Sequence, residues 1–516
     1  MSLNAQDNFP QARTMTVADD EYISVSEGRI RIRIGAFIFM FVLMLVVLRL
    51  AEISLFGDKR GGGLLPQEIT TTRADITDRN GEVLATTLST YSLYAEPRRV
   101  WNVEETAQKL ISVRPELDIN VLRERLSADR SFVWIERGLT PKERQSVFAL
   151  GLPGLAFRQD PHRVYPRGHL ASHIVGFTDV DMNGQAGSER AFNEKLSEEN
   201  APAAALSVDM RVQYAVADEL QKGMEHFGAL SNAGIVLNIK TGEIISMVSL
   251  PNFDPNDPGA TLPETRFNHA SMSTYDLGSV FKPLTMAMAL EDEVTTLTEE
   301  YPVQKPFKVR HKFIRDDHPS KVPQAMPDIL ADSSNRGTAM IALKIGGEQQ
   351  RKYLKELGLM DRVPFELMES AKPQIQDRWI DLTTVTVSYG HGIAVTPLAL
   401  AAAIGATLND GMYVAPTLKK RDAAHPVQAR RVFSSGVSKT TRDMMRYTST
   451  HGTGKKARVK GYGVMGKTGT AEKPYKGGYH EKRLVTSFVA AFPYEDPTYV
   501  VMITYDEPQA VEGTFG

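Results

Sequence analysis

Cysteine is absent from this sequence of 516 residues. Its absence excludes disulfide bonds, thiolate metal sites and cysteine nucleophiles, and it leaves the cellular compartment open. An excess of charge of one sign is missing too, because 60 Lys and Arg face 62 Asp and Glu. The chain therefore has no global basic field for nucleic acid. A chain of this length is too long for a single hydrophobic core, which predicts two or three domains.

Long hydrophobic runs are scarce, and one stands out near the N-terminus. Residues 34–48 contain no charged side chain. A helix that spans a membrane needs roughly 20 residues, and the run approaches this length if it includes Arg49, whose long side chain can reach the membrane surface. We predict a transmembrane anchor over 34–52 after a cytoplasmic tail over 1–33, because arginines directly precede the run. A cleaved signal peptide or a buried soluble helix would instead require a cleavage site or polar interruptions. The remaining chain is expected outside the cytoplasm.

The first region after the anchor is predicted over residues 64–225. It contains a hairpin at Asp75–Ala85 around an Asn-Gly turn. Helical spacing follows over 103–150, and a further helix is predicted at about Arg211–Gly223. Nothing in this region gathers a convincing catalytic set.

The composition changes after Asn232. The strand patterns form two hairpins, at 233–239 with 243–248 and at 486–492 with 499–505. Helical patterns lie between them, at 279–291, 337–357 and 397–409, the last apolar on all sides. Hairpins at both ends with helices between them predict an α+β domain over 226–516, in which distant strands share one antiparallel sheet.

The chemical candidate is Ser279-Val-Phe-Lys282, which follows Gly278 at the start of an apolar helix. Side chains at i and i+3 share a helix face, and an uncharged lysine there can take the proton of a serine hydroxyl. The helix N-terminus favours the developing negative charge. One such spacing is expected by chance in a chain of this length, so the pattern alone is weak evidence.

The order of two further motifs strengthens the candidate. Ser333-Ser334-Asn335 and Lys467-Thr468-Gly469-Thr470 follow it, completing the set Ser-x-x-Lys, Ser-x-Asn and Lys-Thr-Gly of penicillin-binding proteins and serine β-lactamases. Lys240-Thr-Gly242 repeats the last tripeptide, but it precedes the nucleophile and has the pattern of a hairpin turn. We assign it no catalytic role, and we predict that Lys467-Thr-Gly469 begins a loop leading to the penultimate strand.

The sequence resembles the class B penicillin-binding proteins, membrane-anchored peptidoglycan D,D-transpeptidases, and most closely the division-specific septal type. The resemblance covers nearly the whole chain after the anchor. Besides the catalytic set, it rests on motifs at Arg73–Gly81, Arg163–Gly168 and Tyr389–Gly392. It implies a non-catalytic, dimerisation-type pedestal over 64–225, and a penicillin-binding head over 226–516 that normally continues further. The chain has Asp-Leu-Gly before the nucleophile, where the family often has Glu-Pro-Gly.

The resemblance also implies a reaction. Ser279 would attack the carbonyl of the penultimate D-Ala of a stem peptide, and a neutral Lys282 would accept its proton. Ser333 would pass a proton to the departing D-Ala. An amine of a neighbouring stem would then resolve the acyl-enzyme and form the cross-link, while β-lactams would acylate Ser279. The reaction needs no cofactor and no metal.

The remaining motif residues would bind the donor. Asn335 would hold the peptide amide, and Lys467 would supply positive potential. Thr468 and Thr470, on either side of Gly469, would bind the substrate carboxylate. The backbone N–H groups of the nucleophile and Thr470 would form the oxyanion hole. Expected partners are the inner membrane, a lipid-II polymerase and other divisome membrane proteins, and no nucleic acid.

Alternative functions stay open at this point. An elongation-type transpeptidase is disfavoured by the Ser-Ser-Asn motif. A class A β-lactamase would need a deacylating glutamate, for which Glu366 and Glu369 lie in range without the usual context. A β-lactam sensor of the same fold is a further alternative. A catalytically silent divisome scaffold would not need the motif residues. The segment His311–His318 offers metal-ligand types, but its spacing favours a polar surface loop.

Overall fold

The structure is a computed structural model. It describes residues 33–48, 73–422, 424, 426–475 and 478–509, with the backbone alone for 474, 475 and 478–482. The boundary between two compact units falls after Glu68, and we describe each unit by itself. In the first unit, residues 33–48 form helix α1, whose large apolar side chains are exposed. No helix among the described residues is both long and apolar enough to cross a membrane. The last part of the predicted anchor, 49–52, lies outside the described residues.

The second unit begins with a sheet and short helices. Its elements up to the head are β1 (Ile76–Thr77), β2 (Val83–Ala95), α2 (Val103–Val113), α3 (Ile119–Leu126), β3 (Val133–Leu139), α4 (Pro141–Phe148), β4 (Leu155–Val164), α5 (Ser172–Val175), α6 (Gly187–Ala191), α7 (Asn193–Leu196), β5 (Ala204–Ala205) and α8 (Met210–Phe227). β2 pairs antiparallel with β1, β3 and β4. The predicted hairpin is confirmed: Gly81 has a φ of +88°, and the Asp78 carboxylate accepts from the N–H groups of Asn80 and Glu82.

The prediction that residues 103–150 are helical is wrong for part of this range. Strand β3 lies between α3 and α4. Ile135 and Leu139 of β3 are buried with Leu93 of β2 in a hydrophobic core of their own. The pairing of β3 with β2, which sequence spacing does not reveal, decides the strand conformation.

A buried ion cluster joins two of the motifs noted in the sequence. Arg73 and Arg163 each donate through Nε to the Glu189 carboxylate, at 2.6 and 2.7 Å. All three side chains are almost fully buried. Removal of one partner from such a cluster leaves an uncompensated charge and costs about 3–5 kcal/mol. The cluster therefore holds the start of the described part of the second unit to strand β4 and helix α6.

The head alternates strands and helices. Its elements are β6 (Ser231–Asn238), β7 (Ile244–Leu250), α9 (Lys282–Glu291), β8 (Glu300–Tyr301), β9 (Phe307–Val309), β10 (Lys312–Ile314), β11 (Gln324–Ala325), α10 (Met326–Ala331), α11 (Asn335–Ile345), α12 (Gly347–Glu356), β12 (Gln374–Ile375), α13 (Asp381–Ser388), β13 (Ile393–Ala394), α14 (Pro397–Leu408), β14 (Met412–Val414), β15 (Ala429–Arg431), α15 (Ser435–His451), β16 (Met465–Tyr475), β17 (Gly478–Phe492) and β18 (Tyr499–Asp506).

Both predicted hairpins belong to one antiparallel sheet, as expected. Within the described chain its strand order is β16-β17-β18-β6-β7. β18 pairs with β6, so that Val501 lies opposite Val236 although the two are far apart in sequence. Every residue of α14 is buried, which confirms the expectation of a helix that is apolar all round. α14 packs on one face of the sheet, and α8 covers the other.

Three predicted boundaries need correction. The helix expected at 337–357 divides into α11 and α12, because Gly346 has a φ of +81° and ends the first helix. The helix expected at 279–291 begins with a 3₁₀ turn at Gly278–Phe281. Lys467-Thr-Gly469 lies inside strand β16 and does not begin a loop. Glycine weakens strand patterns in a sequence, but here the ladder with β17 specifies the strand.

Candidate active site

The predicted nucleophile lies in the 3₁₀ turn that leads into α9. Ser279 is half-buried at the surface of a cleft. Gly278 before it has a φ of +62°, a conformation that favours glycine. A side chain at this glycine would bring its Cβ to 2.5 Å from the Thr470 carbonyl oxygen. The turn that carries the nucleophile therefore lies against the backbone of β16.

Two fully buried lysines converge on Ser333. The Lys282 Nζ donates to the Ser333 carbonyl oxygen, and to the Ser333 Oγ at 3.1 Å. The Lys467 Nζ donates to the same Oγ at 3.0 Å and to the Thr468 carbonyl oxygen at 3.0 Å. A serine hydroxyl has two lone pairs to accept these bonds and one proton to donate. The two lysines therefore occupy the lone pairs of the Ser333 hydroxyl and leave its proton available for donation.

The backbone at Ser333 is held in an uncommon conformation. Its φ of +62° lies in the left-handed region, which a non-glycine residue occupies at a cost of about 1–2 kcal/mol. A residue stays in such a strained conformation when several surrounding contacts hold it there. Here Lys282 binds both the backbone and the side chain of Ser333, and Lys467 binds its side chain.

Burial changes the charge state of both lysines. Desolvation, followed by the charge of Lys467, holds the pKa of Lys282 well below its usual value. Desolvation also lowers the pKa of Lys467 to about 7. A lysine can act as a base only when neutral, and these shifts make the neutral form accessible near neutral pH. The condition that the sequence analysis placed on Lys282 is thus supported by its surroundings.

Strand β16 forms one wall of the cleft. Thr468, Gly469 and Thr470 all line it. A Cβ on Gly469 would lie 2.5 Å from both the Leu277 carbonyl oxygen and the Ser487 Oγ. Only glycine permits β16 to approach the nucleophile turn this closely. The cleft has a volume of about 580 Å³, which is in the range of small-molecule sites.

Asn335 is predicted to hold the substrate amide, but its side chain is hydrogen-bonded to the protein backbone. It begins α11, and its Nδ2 donates to the Arg315 carbonyl oxygen at 3.0 Å. The Asp316 carboxylate accepts from the Ser334 Oγ at 2.9 Å and from the Asn335 N–H at 2.6 Å. The middle motif is therefore anchored to the loop at residues 315–316.

Sequence reasoning missed three residues of this site. Asp316, in a segment interpreted as a polar surface loop, anchors the middle motif, and it also lines the cleft. Thr453 accepts a hydrogen bond from the Thr468 Oγ1 at 3.0 Å, and Lys456 lines the cleft. No spacing in the sequence connects these residues with the motifs, although the basic run around Lys456 is visible.

The two glutamates considered for a β-lactamase form hydrogen bonds within the fold. Glu366 accepts from the Thr417 Oγ1 and the Leu418 N–H, and a Glu369 carboxylate oxygen accepts from the Gly187 N–H. Neither glutamate lines the cleft. Within the described residues, no three His, Asp or Glu side chains are grouped so that they could hold a metal ion.

Comparison with known proteins adds to this geometry. Residues 233–515 match the family model of the penicillin-binding protein transpeptidase domain, and residues 68–201 match that of the penicillin-binding protein dimerisation domain. This chain is a class B penicillin-binding protein. A Caulobacter vibrioides protein named "Probable peptidoglycan D,D-transpeptidase FtsI" is 38% identical over 477 residues, which cover 90% of this chain and 80% of the relative.

A second relative and two solved structures are also similar to this chain. The Escherichia coli K12 peptidoglycan D,D-transpeptidase FtsI is 28% identical, over 88% of this chain and 82% of its own length. Penicillin-binding protein 2X from Streptococcus thermophilus has a TM-score of 0.69 at 21% identity, over 86% of this chain and 77% of that chain. Penicillin-binding protein 3 from Mycobacterium tuberculosis, solved with aztreonam, has a TM-score of 0.67 at 23% identity, over 85% and 90%. The two structures show the shared fold.

Proposed function

We propose that this chain cross-links peptidoglycan as a serine D-Ala-D-Ala transpeptidase of the septal type. The observation that carries this function is the convergence of Lys282 and Lys467 on the Ser333 Oγ, in the cleft that Ser279 lines. It supplies a nucleophile, a base and a proton relay at one place. The septal assignment is supported by relatives named FtsI.

Acylation is the first half of the reaction. Lys282, whose pKa desolvation holds well below its usual value, accepts in its neutral form the Ser279 hydroxyl proton as the Oγ attacks the carbonyl of the penultimate D-Ala. The oxyanion forms between the nucleophile turn and Thr470, whose backbones lie against each other at Gly278. Ser333 donates its proton to the departing D-Ala nitrogen and is reprotonated through its lysine neighbours. The product is an ester between Ser279 and the shortened donor.

Transfer to an acceptor completes the cross-link. The amine of a neighbouring stem peptide attacks the ester, loses a proton to the same lysine–serine network and restores the Ser279 hydroxyl. Thr468 and Thr470 bind the terminal carboxylate of the donor, Lys467 supplies positive potential, and Asn335 holds the peptide amide once it releases Arg315. β-Lactams acylate Ser279 in the same way, and the acyl-enzyme is long-lived because Glu366 and Glu369 lie outside the cleft.

The proposed location follows from the substrate. The apolar residues 34–48 are the core of a single-pass anchor at 34–52 that places the pedestal and the head on the outer side of the bacterial inner membrane. The pedestal over 64–225 and the head over 226–516 would then meet peptidoglycan and the lipid-II polymerase of the division machinery. Fractionation and protease accessibility of the head in spheroplasts test this topology.

Fluorescent penicillin labelling tests the function. We expect a stable, stoichiometric adduct on the wild-type protein and none on Ser279→Ala. Ser435→Ala, at an exposed position of α15, is the matched control and should label like wild type. Steady-state nitrocefin turnover would identify a β-lactamase instead. Full rescue of protein-depleted dividing cells by Ser279→Ala would identify a scaffold, and septal localisation of the labelled protein would support the septal type.

A further inference from the structure

A basic loop, residues 453–460, borders the catalytic cleft. Its cations are Lys455, Lys456, Arg458 and Lys460, all exposed. From residue 444 to residue 471 the sequence contains no Asp or Glu. The positive charge of this segment is therefore not balanced locally along the chain.

The cations of the basic loop are also unpaired in space. In the described parts of the chain, no carboxylate forms an ion pair with any of the four, whereas other exposed lysines such as Lys222 and Lys344 do pair. Like charges held together on a surface repel one another and attract anions. An unpaired basic group beside a reaction cleft therefore favours an anionic ligand.

The basic loop is fixed to the wall that carries the third motif. The Thr453 Oγ1 accepts from the Thr468 Oγ1 at 3.0 Å, and Gly454 is buried against the Gly466 carbonyl oxygen of β16. Lys456 lines the same cleft as Ser279 and Thr468. Lys456 is thus at the edge of the cleft in which we propose that the donor peptide binds.

We propose that the basic loop is a subsite for a second carboxylate of the donor peptide, with Lys456 as the specificity-determining residue. This inference rests on the proposed transpeptidase function. The donor is favoured over the acceptor, because the loop is hydrogen-bonded to Thr468, which we propose binds the terminal carboxylate of the donor. Asp317 also lines the cleft, and its negative charge would repel a carboxylate placed beside it.

Two matched thioester donors test the proposal on the full-length protein. Both end in D-Ala-thioglycolate, so that each keeps a terminal carboxylate, and they differ upstream in one residue, which is acidic in one donor and carboxamide-bearing in the other. Acylation of Ser279 breaks the thioester and releases thioglycolate. A thiol reagent measures it without background from the protein, since the chain has no cysteine.

Lys456→Ala should lower kcat/KM for the acidic donor about tenfold, the loss of one charge-assisted contact, and leave the carboxamide donor within twofold of wild type. The matched control Lys439→Ala, at an exposed lysine of α15, should change neither. Raising the salt concentration should slow the acidic donor in wild type more than in Lys456→Ala.

Other outcomes would overturn the proposal. Equal loss with both donors would mean a general structural role for Lys456, and no loss would mean no subsite. A loss confined to transfer to an amine acceptor, with thiol release unchanged, would assign the carboxylate to the acceptor. If wild type releases no thiol from either donor and forms no penicillin adduct, the proposed function itself fails. Normal penicillin labelling with equal use of both donors would remove only the subsite.

Discussion

The tripeptide Lys-Thr-Gly occurs twice in this chain, and the two copies fold differently. Lys240-Thr-Gly242 connects β6 to β7, with Gly242 at a φ of +76°. Lys467-Thr-Gly469 lies inside β16, paired with β17. The Lys240 side chain is 39% exposed and forms an ion pair with Asp496, whereas Lys467 is fully buried and donates to Ser333.

The difference shows that a motif acquires its chemistry from its surroundings. Lys240 is partly exposed to water and has a carboxylate partner in Asp496. Desolvation by burial lowers the pKa of Lys467 to about 7, and its Nζ donates to the Oγ of Ser333, the proposed relay serine. The two glycines also differ in their roles. Gly242 adopts the left-handed conformation of a turn, whereas Gly469 lets β16 approach the Leu277 backbone closely. Substitutions at the paired positions can separate these effects.

The largest expected contrast is between the two lysines. Lys467→Ala should lower the second-order rate of acylation by a fluorescent penicillin by about 10²–10³, as loss of a preorganised charge in an active site does. Lys240→Ala should leave that rate within twofold and cost at most about 1 kcal/mol of stability, because its ion pair is exposed. Labelling time courses with a thermal melt of each variant measure both. Comparable losses in the two variants would contradict the distinction.

The next contrast is between the two glycines. Gly469→Ala should slow acylation by about tenfold to a hundredfold, because its Cβ would push β16 away from the nucleophile turn at Leu277. Gly242→Ala should instead destabilise the fold by at least about 1 kcal/mol, since its φ is positive. The folded Gly242→Ala protein should acylate normally. A melting curve and the labelling rate per folded molecule distinguish strain from misalignment.

The smallest contrast concerns pH. Because the folded pKa of Lys467 is about 7, below the usual lysine value of 10.5, the unfolded chain holds a proton between these values that the folded protein lacks. Stability attributable to this lysine therefore rises with pH from about 7 to about 10. Lys467→Met should flatten the rise of Tm over this range, and Lys240→Met should keep it. Lys282 shifts in the same direction, so the double variant Lys282→Met/Lys467→Met should flatten it further. An unchanged slope in Lys467→Met would refute the assignment.

Local patterns predicted much of the fold. The Asn-Gly hairpin, both strand pairs of the head and the apolar helix α14 are confirmed, because turn chemistry and hydrophobic pattern act over a few residues. Strand β3 and the strand conformation of Lys467-Thr-Gly469 were missed. Both depend on pairing with a strand elsewhere in the chain, and glycine or charge within them obscures the local signal.

The sequence by itself determined the class of protein and the identity of its chemical groups, because the spacing and order of three motifs are properties of the chain. Only the tertiary structure decided how those groups work. It buried two lysines around the Ser333 hydroxyl and pressed Gly278 against Thr470. It turned Asn335 towards Arg315 and brought Lys456 to the edge of the cleft. Burial, pKa and alignment come from packing between distant segments, and packing is absent from any local pattern of residues.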